Sequence, residues 1–138
     1  MDLCKTESDT FRLGQKIGKL LTDGSVLILT GSLGAGKTVF VKGIASALDI
    51  KERITSPTFT IVSEYSGTLP FYHIDLYRID SIEEFELLGL DDVLGKIGIA
   101  AIEWGEKADE ALPENAIVVH FTIHNSGERE VNIQGSEI

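Results

Sequence analysis

A glycine-rich stretch, GSLGAGKT at residues 31–38, directly follows the apolar run VLILT. Gly31, Gly36, Lys37 and Thr38 fill the fixed positions of the pattern G-x-x-x-x-G-K-[ST], which binds phosphates. Glycines allow successive backbone N–H groups to converge on phosphate oxygens at the start of a helix. The lysine ammonium can contact the outer phosphates, and the threonine hydroxyl can bind the magnesium ion that bridges them. The predicted nucleotide-binding residues here are Gly31, Ser32, Leu33, Gly34, Ala35, Gly36, Lys37, Thr38 and Val39.

Glu103 is a carboxylate at a position where a nucleotide bound with magnesium would need one. Glu103 ends the apolar run of residues 97–102, and open α/β sheets bind their ligands at the carboxyl ends of the strands. It resembles the acid of a Walker B strand, and it would face Thr38 if its strand lies beside residues 26–30. Its predicted roles are to hold magnesium, directly or through a water, or to orient the attacking water. The alternative is an acid that only ends a strand at the surface.

Asp75 is the second acidic candidate. In the predicted strand FYHIDLYR, alternation places His73, Asp75 and Tyr77 on one face. We expect one face of this strand to be wet and functional. A carboxylate among apolar neighbours is costly unless it is paired or bound to a metal, so either Arg78 or the magnesium shell explains Asp75. The catalytic candidates are Lys37, Asp75 and Glu103, and the metal-binding candidates are Thr38, Asp75 and Glu103.

The elements that position these residues follow from the apolar pattern. An opening helix with apolar residues from Leu13 to Leu21 ends at the Asp23–Gly24 turn, and a buried strand, the glycine-rich loop and a helix to Leu48 come next. A hairpin is predicted over residues 59–78, a short helix at SIEEFELLG, a buried strand at IGIAAIEW, and a closing hairpin from AIVVHFTIH to REVNIQ. The predicted fold is a single α/β P-loop NTPase domain with a mixed central sheet flanked by helices. It spans residues 1–138, with a short flexible tail at about 135–138.

Size and charge limit the kind of nucleotide-binding protein. With 138 residues, 43% of them hydrophobic, the chain is expected to build one core. No apolar run approaches the roughly 20 residues of a membrane span, and the lone Cys4 suits a reducing cytoplasm. The net charge of −10 makes direct nucleic-acid binding unfavourable. We therefore expect a cytoplasmic protein with no membrane partner, no DNA partner and no direct hold on RNA.

Several nucleotide-binding classes share the phosphate loop. A GTPase needs an N-K-x-D element, which the sequence lacks. A small-molecule kinase remains open, although its arginine-rich lid is missing, because the four arginines are scattered along the chain. The residues favour an ATP-hydrolysing or ATP-sensing module. His120 and His124 lie four apart without a third metal ligand nearby and are interpreted as ordinary polar positions.

Four blocks of sequence together support a family assignment. In order and spacing, GSLGAGKT, TSPTFTIVSEY, HIDLYR and IEWGE closely resemble the bacterial TsaE (YjeE) family of small P-loop ATPases. The resemblance extends from about Leu20 to Leu112, and the four blocks are far more specific than a phosphate loop alone.

The resemblance implies a role in making threonylcarbamoyladenosine in ANN-decoding tRNAs. TsaD with TsaB would carry out the transfer after TsaC makes the threonylcarbamoyl-adenylate, and this chain would supply an ATPase that the reaction cycle needs. Because the arginines are scattered, we expect this ATPase to be weak alone and to be stimulated by its partner. ATP and Mg²⁺ are the implied cofactors, and tRNA would be contacted only through the TsaB–TsaD complex. The resemblance also implies a switch-like segment at Ser56, Pro57 and Thr58, nucleotide contact by Thr58 and Trp104, and nucleotide or partner contact by Tyr77 and Arg78.

Overall fold

The computed structural model describes residues 2–31, 36–54 and 61–135. Within these ranges, seven strands form one mixed sheet in the order β1-β7-β6-β2-β5-β4-β3. The strands are β1 (Asp2–Cys4), β2 (Val26–Gly31), β3 (Val62–Ser66), β4 (Pro70–Asp75), β5 (Ile99–Glu103), β6 (Ile117–Ile123) and β7 (Arg129–Gln134). The helices are α1 (Glu7–Leu20), α2 (Lys37–Ala47) and α3 (Ile82–Glu86), with 3₁₀ segments at Leu90–Asp92 and Gly105–Ala111. The predicted mixed α/β sheet is confirmed.

The four central strands run parallel. Strand β2 pairs in parallel with β5 on one side and β6 on the other, and β5 pairs in parallel with β4. The two predicted hairpins, β3–β4 and β6–β7, are antiparallel and close the two ends of this central group. The carboxyl ends of β2, β4 and β5 therefore meet at one edge of the sheet, where open α/β domains bind their ligands.

Apolar side chains fill both faces of the sheet. On one face, α1 and α2 pack over inward residues such as Leu29 of β2 and Ala101 of β5. On the other face, α3 and the second 3₁₀ segment cover residues such as Ile74 and Ile102. Because successive strand residues point to opposite faces, β2 and β5 are buried on both sides, which explains their continuous apolar runs.

The backbones of helices α1 and α2 approach each other closely at two glycines. A Cβ added at Gly14 would overlap the carbonyl oxygen of Phe40, and one added at Gly43 would overlap that of Phe11. Glycine is needed at both positions because only a hydrogen atom fits between the two backbones. This packing fixes α1 against α2 and therefore supports the start of α2, where the phosphate loop ends.

Two expectations from the sequence need correction, and one strand was not expected at all. Strand β1 was not predicted; its three residues are mostly exposed, and pairing with β7, rather than a local apolar pattern, makes them a strand. Strand β4 ends at Asp75, so Tyr77 follows the strand instead of lying in it. The expected wet face of β4 is also wrong, because His73 is fully buried. Of the predicted tail, residues 136–138 lie outside the described part of the chain.

Candidate functional site

The site lies where three parallel strands end. Glu103 is the last residue of β5, and the register places it beside Leu29 of β2 and beside Asp75, the last residue of β4. Helix α2 begins at Lys37, directly after Gly36, whose φ of 97° is a left-handed conformation that favours glycine. The condition set by the sequence, that the Glu103 strand lies beside the strand of the phosphate loop, is met.

Lys37 is held close to the end of β2. Its Nζ donates to the carbonyl oxygen of Gly31 at 3.0 Å and lies 3.7 Å from Oε1 of Glu103. Only 8% of Lys37 is exposed, so its charge is kept in a poorly solvated place beside a carboxylate. An ammonium in such a position can form strong charge-assisted hydrogen bonds with an incoming phosphate.

Glu103 is buried and charged. Burial raises the pKa of Glu103, but the hydrogen bond and electrostatic attraction from His73, followed by the ammonium of Lys37, outweigh this effect. The pKa of Glu103 therefore lies below its usual range, and the group is a carboxylate at neutral pH. An ionised carboxylate is the form that can bind a cation or accept a proton.

His73 is the site residue that the sequence interpretation missed as a candidate. Its Nε2 lies 2.9 Å from Oε2 of Glu103, and the imidazole is completely buried. The alternation of β4 had already placed His73 on the same face as Asp75. A polar residue flanked by apolar ones in a buried strand must find a partner, and that signal could have singled out His73 without identifying Glu103.

The other predicted metal ligands also lie at this edge. Asp75 is half-buried, and its Oδ1 accepts a hydrogen bond from the backbone N–H of Tyr77 at 3.0 Å. Thr38, in the first turn of α2, is half-buried and borders the cavity described below. The hydroxyl and carboxylate oxygens of Thr38, Asp75 and Glu103 form a donor set of the hard type that Mg²⁺ prefers.

Within residues 2–31, 36–54 and 61–135, no group of three or more histidine, cysteine, aspartate or glutamate side chains could enclose a metal ion. The fit to the ion implied by the resemblance rests instead on the type of ligand atom, since hydroxyl and carboxylate oxygens are those that Mg²⁺ prefers.

A cavity of about 460 Å³ opens beside Lys37 and Glu103. Its volume falls in the usual range for small-ligand pockets. Its lining residues on the phosphate side are Gly36, Lys37, Thr38, Val39 and Glu103. The remaining wall is formed by Cys4, Lys5, Thr6, Glu7, Thr10 and Arg129. No pattern in the sequence indicated this second set, because pairing between β1 and β7 is what brings the N-terminal residues next to Arg129.

Trp104 follows Glu103 in the chain but is not among the described residues that line the cavity. Its φ of 62° is left-handed, its ring centre is 5.1 Å from that of Tyr77, and Lys107 lies over both rings. Lys107 Nζ also donates to the backbone carbonyl oxygens of Tyr77 and Ile79. Tyr77 itself is largely exposed. Nucleotide contact by Trp104 remains a prediction.

Several predicted site residues lie outside the described part of the chain. They are Ser32, Leu33, Gly34 and Ala35 of the phosphate loop and Ser56, Pro57 and Thr58 of the switch-like segment.

The two histidines interpreted as ordinary polar residues have polar partners: His120 Nδ1 lies 2.7 Å from Thr30 Oγ1, and His124 Nε2 lies 3.1 Å from Glu130 Oε1.

The parallel strands, the phosphate-loop sequence between β2 and α2, and the buried lysine and carboxylate at the strand ends define a P-loop α/β domain, a class that binds nucleotides. The model of the family described as "Threonylcarbamoyl adenosine biosynthesis protein TsaE" matches residues 4–131. The chain belongs to the TsaE family, which takes part in the biosynthesis of threonylcarbamoyladenosine in tRNA.

Individual relatives agree with this assignment. The chain is 43% identical over 129 residues to the tRNA threonylcarbamoyladenosine biosynthesis protein TsaE of Treponema pallidum, covering 94% of this chain and 96% of the relative. The TsaE protein of Bacillus subtilis is 44% identical over 109 residues, which cover 78% of this chain and 68% of the relative. The crystal structure of Bacillus subtilis YdiB superposes with a TM-score of 0.83 at 33% identity, covering 97% of this chain and 83% of that one. The resemblance stated from the sequence is confirmed.

Proposed function

We propose that this chain binds and slowly hydrolyses MgATP, and that this ATPase is required by TsaB and TsaD when they modify ANN-decoding tRNAs. One observation carries the proposal: the buried Lys37 ammonium lies between the end of β2 and the Glu103 carboxylate, at the edge where three parallel strands end. This arrangement puts a cation and a carboxylate side by side next to a cavity of nucleotide size. A phosphate chain and its metal ion need both.

Different residues of the site are proposed to bind different parts of the ligand. Residues 31–39 hold the phosphates, with Lys37 on the outer ones, and the cavity wall made by the N-terminal residues and Arg129 accommodates the nucleoside. Thr38, Asp75 and Glu103 hold Mg²⁺, which would neutralise charge on the phosphates when it is bound. Thr58 and Trp104 are proposed as further nucleotide contacts.

Glu103 also serves hydrolysis. Its carboxylate is ionised and Glu103 lines the cavity, so it can accept a hydrogen bond from the attacking water and orient it. Asp75 and Lys37 are proposed to assist Glu103 in hydrolysis. Asp75 lies opposite Glu103 in the strand register, and Lys37 supplies a positive charge.

The electrostatics favour a protein partner over bare tRNA. With a formal net charge of −10, the chain repels a phosphate backbone, because nucleic-acid affinity depends on neutralising phosphates. We propose that tRNA is reached only through the TsaB–TsaD complex and that neither DNA nor a membrane is a partner.

Within the described residues, no helix is long and apolar enough to cross a membrane. We propose a cytoplasmic location, since the sole cysteine has no partner for an internal disulfide.

The binding half of the proposal can be tested with two lysines of the same helix. Lys37→Ala removes the buried cation, whereas Lys42→Ala removes an exposed one on α2. A charge-assisted hydrogen bond is worth about 1.5 to 3 kcal/mol, so ATP affinity measured by calorimetry should fall at least about tenfold in the first variant. The Lys42→Ala control should bind ATP like the parent. Equal affinity in the parent and a folded Lys37→Ala protein would reject the site.

The functional half needs ATP turnover measured alone, with TsaB–TsaD, and with tRNA added. Turnover alone should lie far below the ~10 s⁻¹ of a typical enzyme, and TsaB–TsaD should raise it. A small-molecule kinase would instead transfer label to an offered acceptor, and an ATP-sensing module would bind ATP without releasing phosphate. Tight binding of bare tRNA, or multiple-turnover tRNA modification by TsaB–TsaD that does not require this chain, would reject the proposal.

A further inference from the structure

His73 lies on the interior side of the Glu103 carboxylate, two residues before the end of strand β4. The register of β4 and β5 pairs Asp75 with Glu103 and His73 with Ala101. Because residues two apart in a strand share a face, the side chains of His73, Asp75 and Glu103 point to the same side of the sheet. His73 therefore approaches Glu103 from the interior, whereas ligands reach Glu103 from the cavity.

The two oxygens of the Glu103 carboxylate have different partners. Oε2 accepts a 2.9 Å hydrogen bond from His73 Nε2, and Oε1 faces Lys37 Nζ at 3.7 Å. The second distance exceeds that of a hydrogen bond, and Lys37 is also bonded to the carbonyl oxygen of Gly31. A phosphate that attracts Lys37 would leave the bond to His73 as the fixed attachment of the carboxylate.

A histidine that only fills the core would not need this geometry. The imidazole is fully buried, and its Nδ1 has no hydrogen-bond partner among the residues that the structure describes. A buried polar atom without a partner is unfavourable, and a phenyl ring of similar size would avoid that cost. The hydrogen bond from Nε2 is thus the specific property that histidine brings to this position. An ionised carboxylate can only accept, so Nε2 carries the proton.

We propose that His73 is a positioning residue, which fixes Oε2 of Glu103 in the interior so that Oε1 is presented to the magnesium ion or the attacking water. This inference rests on the proposed function, because it assigns a role to a group that acts through Glu103. Groups that orient a metal ligand in this way typically change metal affinity or activity by about 10- to 100-fold when they are removed.

The test compares two replacements of His73. His73→Phe keeps a ring and removes the donor, and His73→Gln can place an amide N–H near the position of Nε2. The control is His124→Phe, which breaks a second histidine–glutamate pair, that of His124 and Glu130, among residues outside the described cavity lining. Three quantities are measured: kcat and KM for ATP with TsaB–TsaD present, ADP affinity with Mg²⁺ and with EDTA by calorimetry, and the ¹⁵N shifts of the His73 imidazole.

Expected results separate positioning from a structural role. His73→Phe should lower kcat at least about tenfold, with KM changed less than about threefold, and should reduce the gain in ADP affinity that Mg²⁺ provides. His73→Gln should restore most of both quantities, and His124→Phe should match the parent. In the double variant, His73→Phe should lower kcat little beyond the loss caused by Glu103→Gln alone, because the two changes remove the same function. The ¹⁵N shifts of the parent should show a proton on Nε2.

Other results would overturn the inference. The inference is wrong if a folded His73→Phe protein has the kcat of the parent and gains as much ADP affinity from Mg²⁺ as the parent does. It is also wrong if the His73 imidazole of the parent carries its proton on Nδ1 alone. If His73→Phe does not fold, the tautomer and the His73→Gln kinetics still decide, since activity in His73→Gln as low as in Glu103→Gln would contradict positioning. Failure of the proposed function has a different signature: Glu103→Gln itself would then hydrolyse ATP like the parent.

Discussion

The replacement Glu103→Gln tests the buried cluster directly, because it keeps the shape of the side chain and removes its charge. The parent carboxylate accepts a 2.9 Å hydrogen bond from His73 and lies 3.7 Å from the ammonium of Lys37. Only 7% of Glu103 is exposed, so water cannot take over these interactions. We expect the free energy of unfolding of the nucleotide-free protein to fall.

The size of this fall follows from opposing contributions. A hydrogen bond to a charged acceptor is about twice as strong as a neutral one, so roughly 1 kcal/mol is lost at His73. The attraction between charges at this distance is about 4 kcal/mol at an effective dielectric constant of 20. Most of that is offset, because glutamine no longer carries the desolvation cost of a buried carboxylate, and Lys37 keeps its bond to Gly31. A net loss of about 1 to 3 kcal/mol remains, which corresponds to a Tm lowered by roughly 3 to 10 °C.

A second glutamate provides the control. Glu130 accepts a 3.1 Å hydrogen bond from His124, but these side chains are 24% and 42% exposed. Glu130→Gln should change the free energy of unfolding by less than about 1 kcal/mol, because solvent screens such pairs. Urea and thermal unfolding of the three proteins without nucleotide give the comparison. A Glu103→Gln protein as stable as the parent, or no less stable than Glu130→Gln, would refute the reasoning.

Three further predictions concern other parts of the chain. Asp75→Asn should raise the Mg²⁺ concentration needed for half-maximal ATP turnover about tenfold, and an unchanged magnesium titration would exclude Asp75 from the metal shell. Gly43→Ala should lower the urea-measured free energy of unfolding by at least about 1 kcal/mol, since a Cβ would meet the backbone of Phe11 and Gln15 and such overlap exceeds the gain in helix propensity; an equally stable variant would contradict the close helix crossing. The backbone N–H of Thr6 holds the pKa of Asp9 below its usual range, so the stability that Asp9 contributes is present above about pH 4 and is lost as the pH falls through the lowered pKa. Urea unfolding should accordingly show a difference between the parent and Asp9→Ala that narrows on acidification, and a difference that widens would contradict the assigned sign.

The sequence alone determined the local parts of this protein. The strand, glycine-rich loop and helix around Lys37 are encoded by neighbouring residues, through an apolar run, turn-forming glycines and helical spacing. The hairpins β3–β4 and β6–β7 are joined by short turns whose residues are equally local signals. Glu103 could be selected because it ends a buried strand and such ends hold ligands. These inferences needed no knowledge of which strands are neighbours.

The tertiary structure alone decided which distant residues meet. His73 and Glu103 are 30 positions apart and come together only because β4 pairs with β5 in one particular register. Strand β1 has no apolar pattern of its own and forms by pairing with β7, which brings Cys4 and Arg129 into one cavity wall. Strand order and register depend on how all the apolar faces are buried at once, and periodicity along a single segment carries no information about its neighbours. For that reason the chemistry of the phosphate loop could be predicted from the sequence, whereas the buried support of its carboxylate could not.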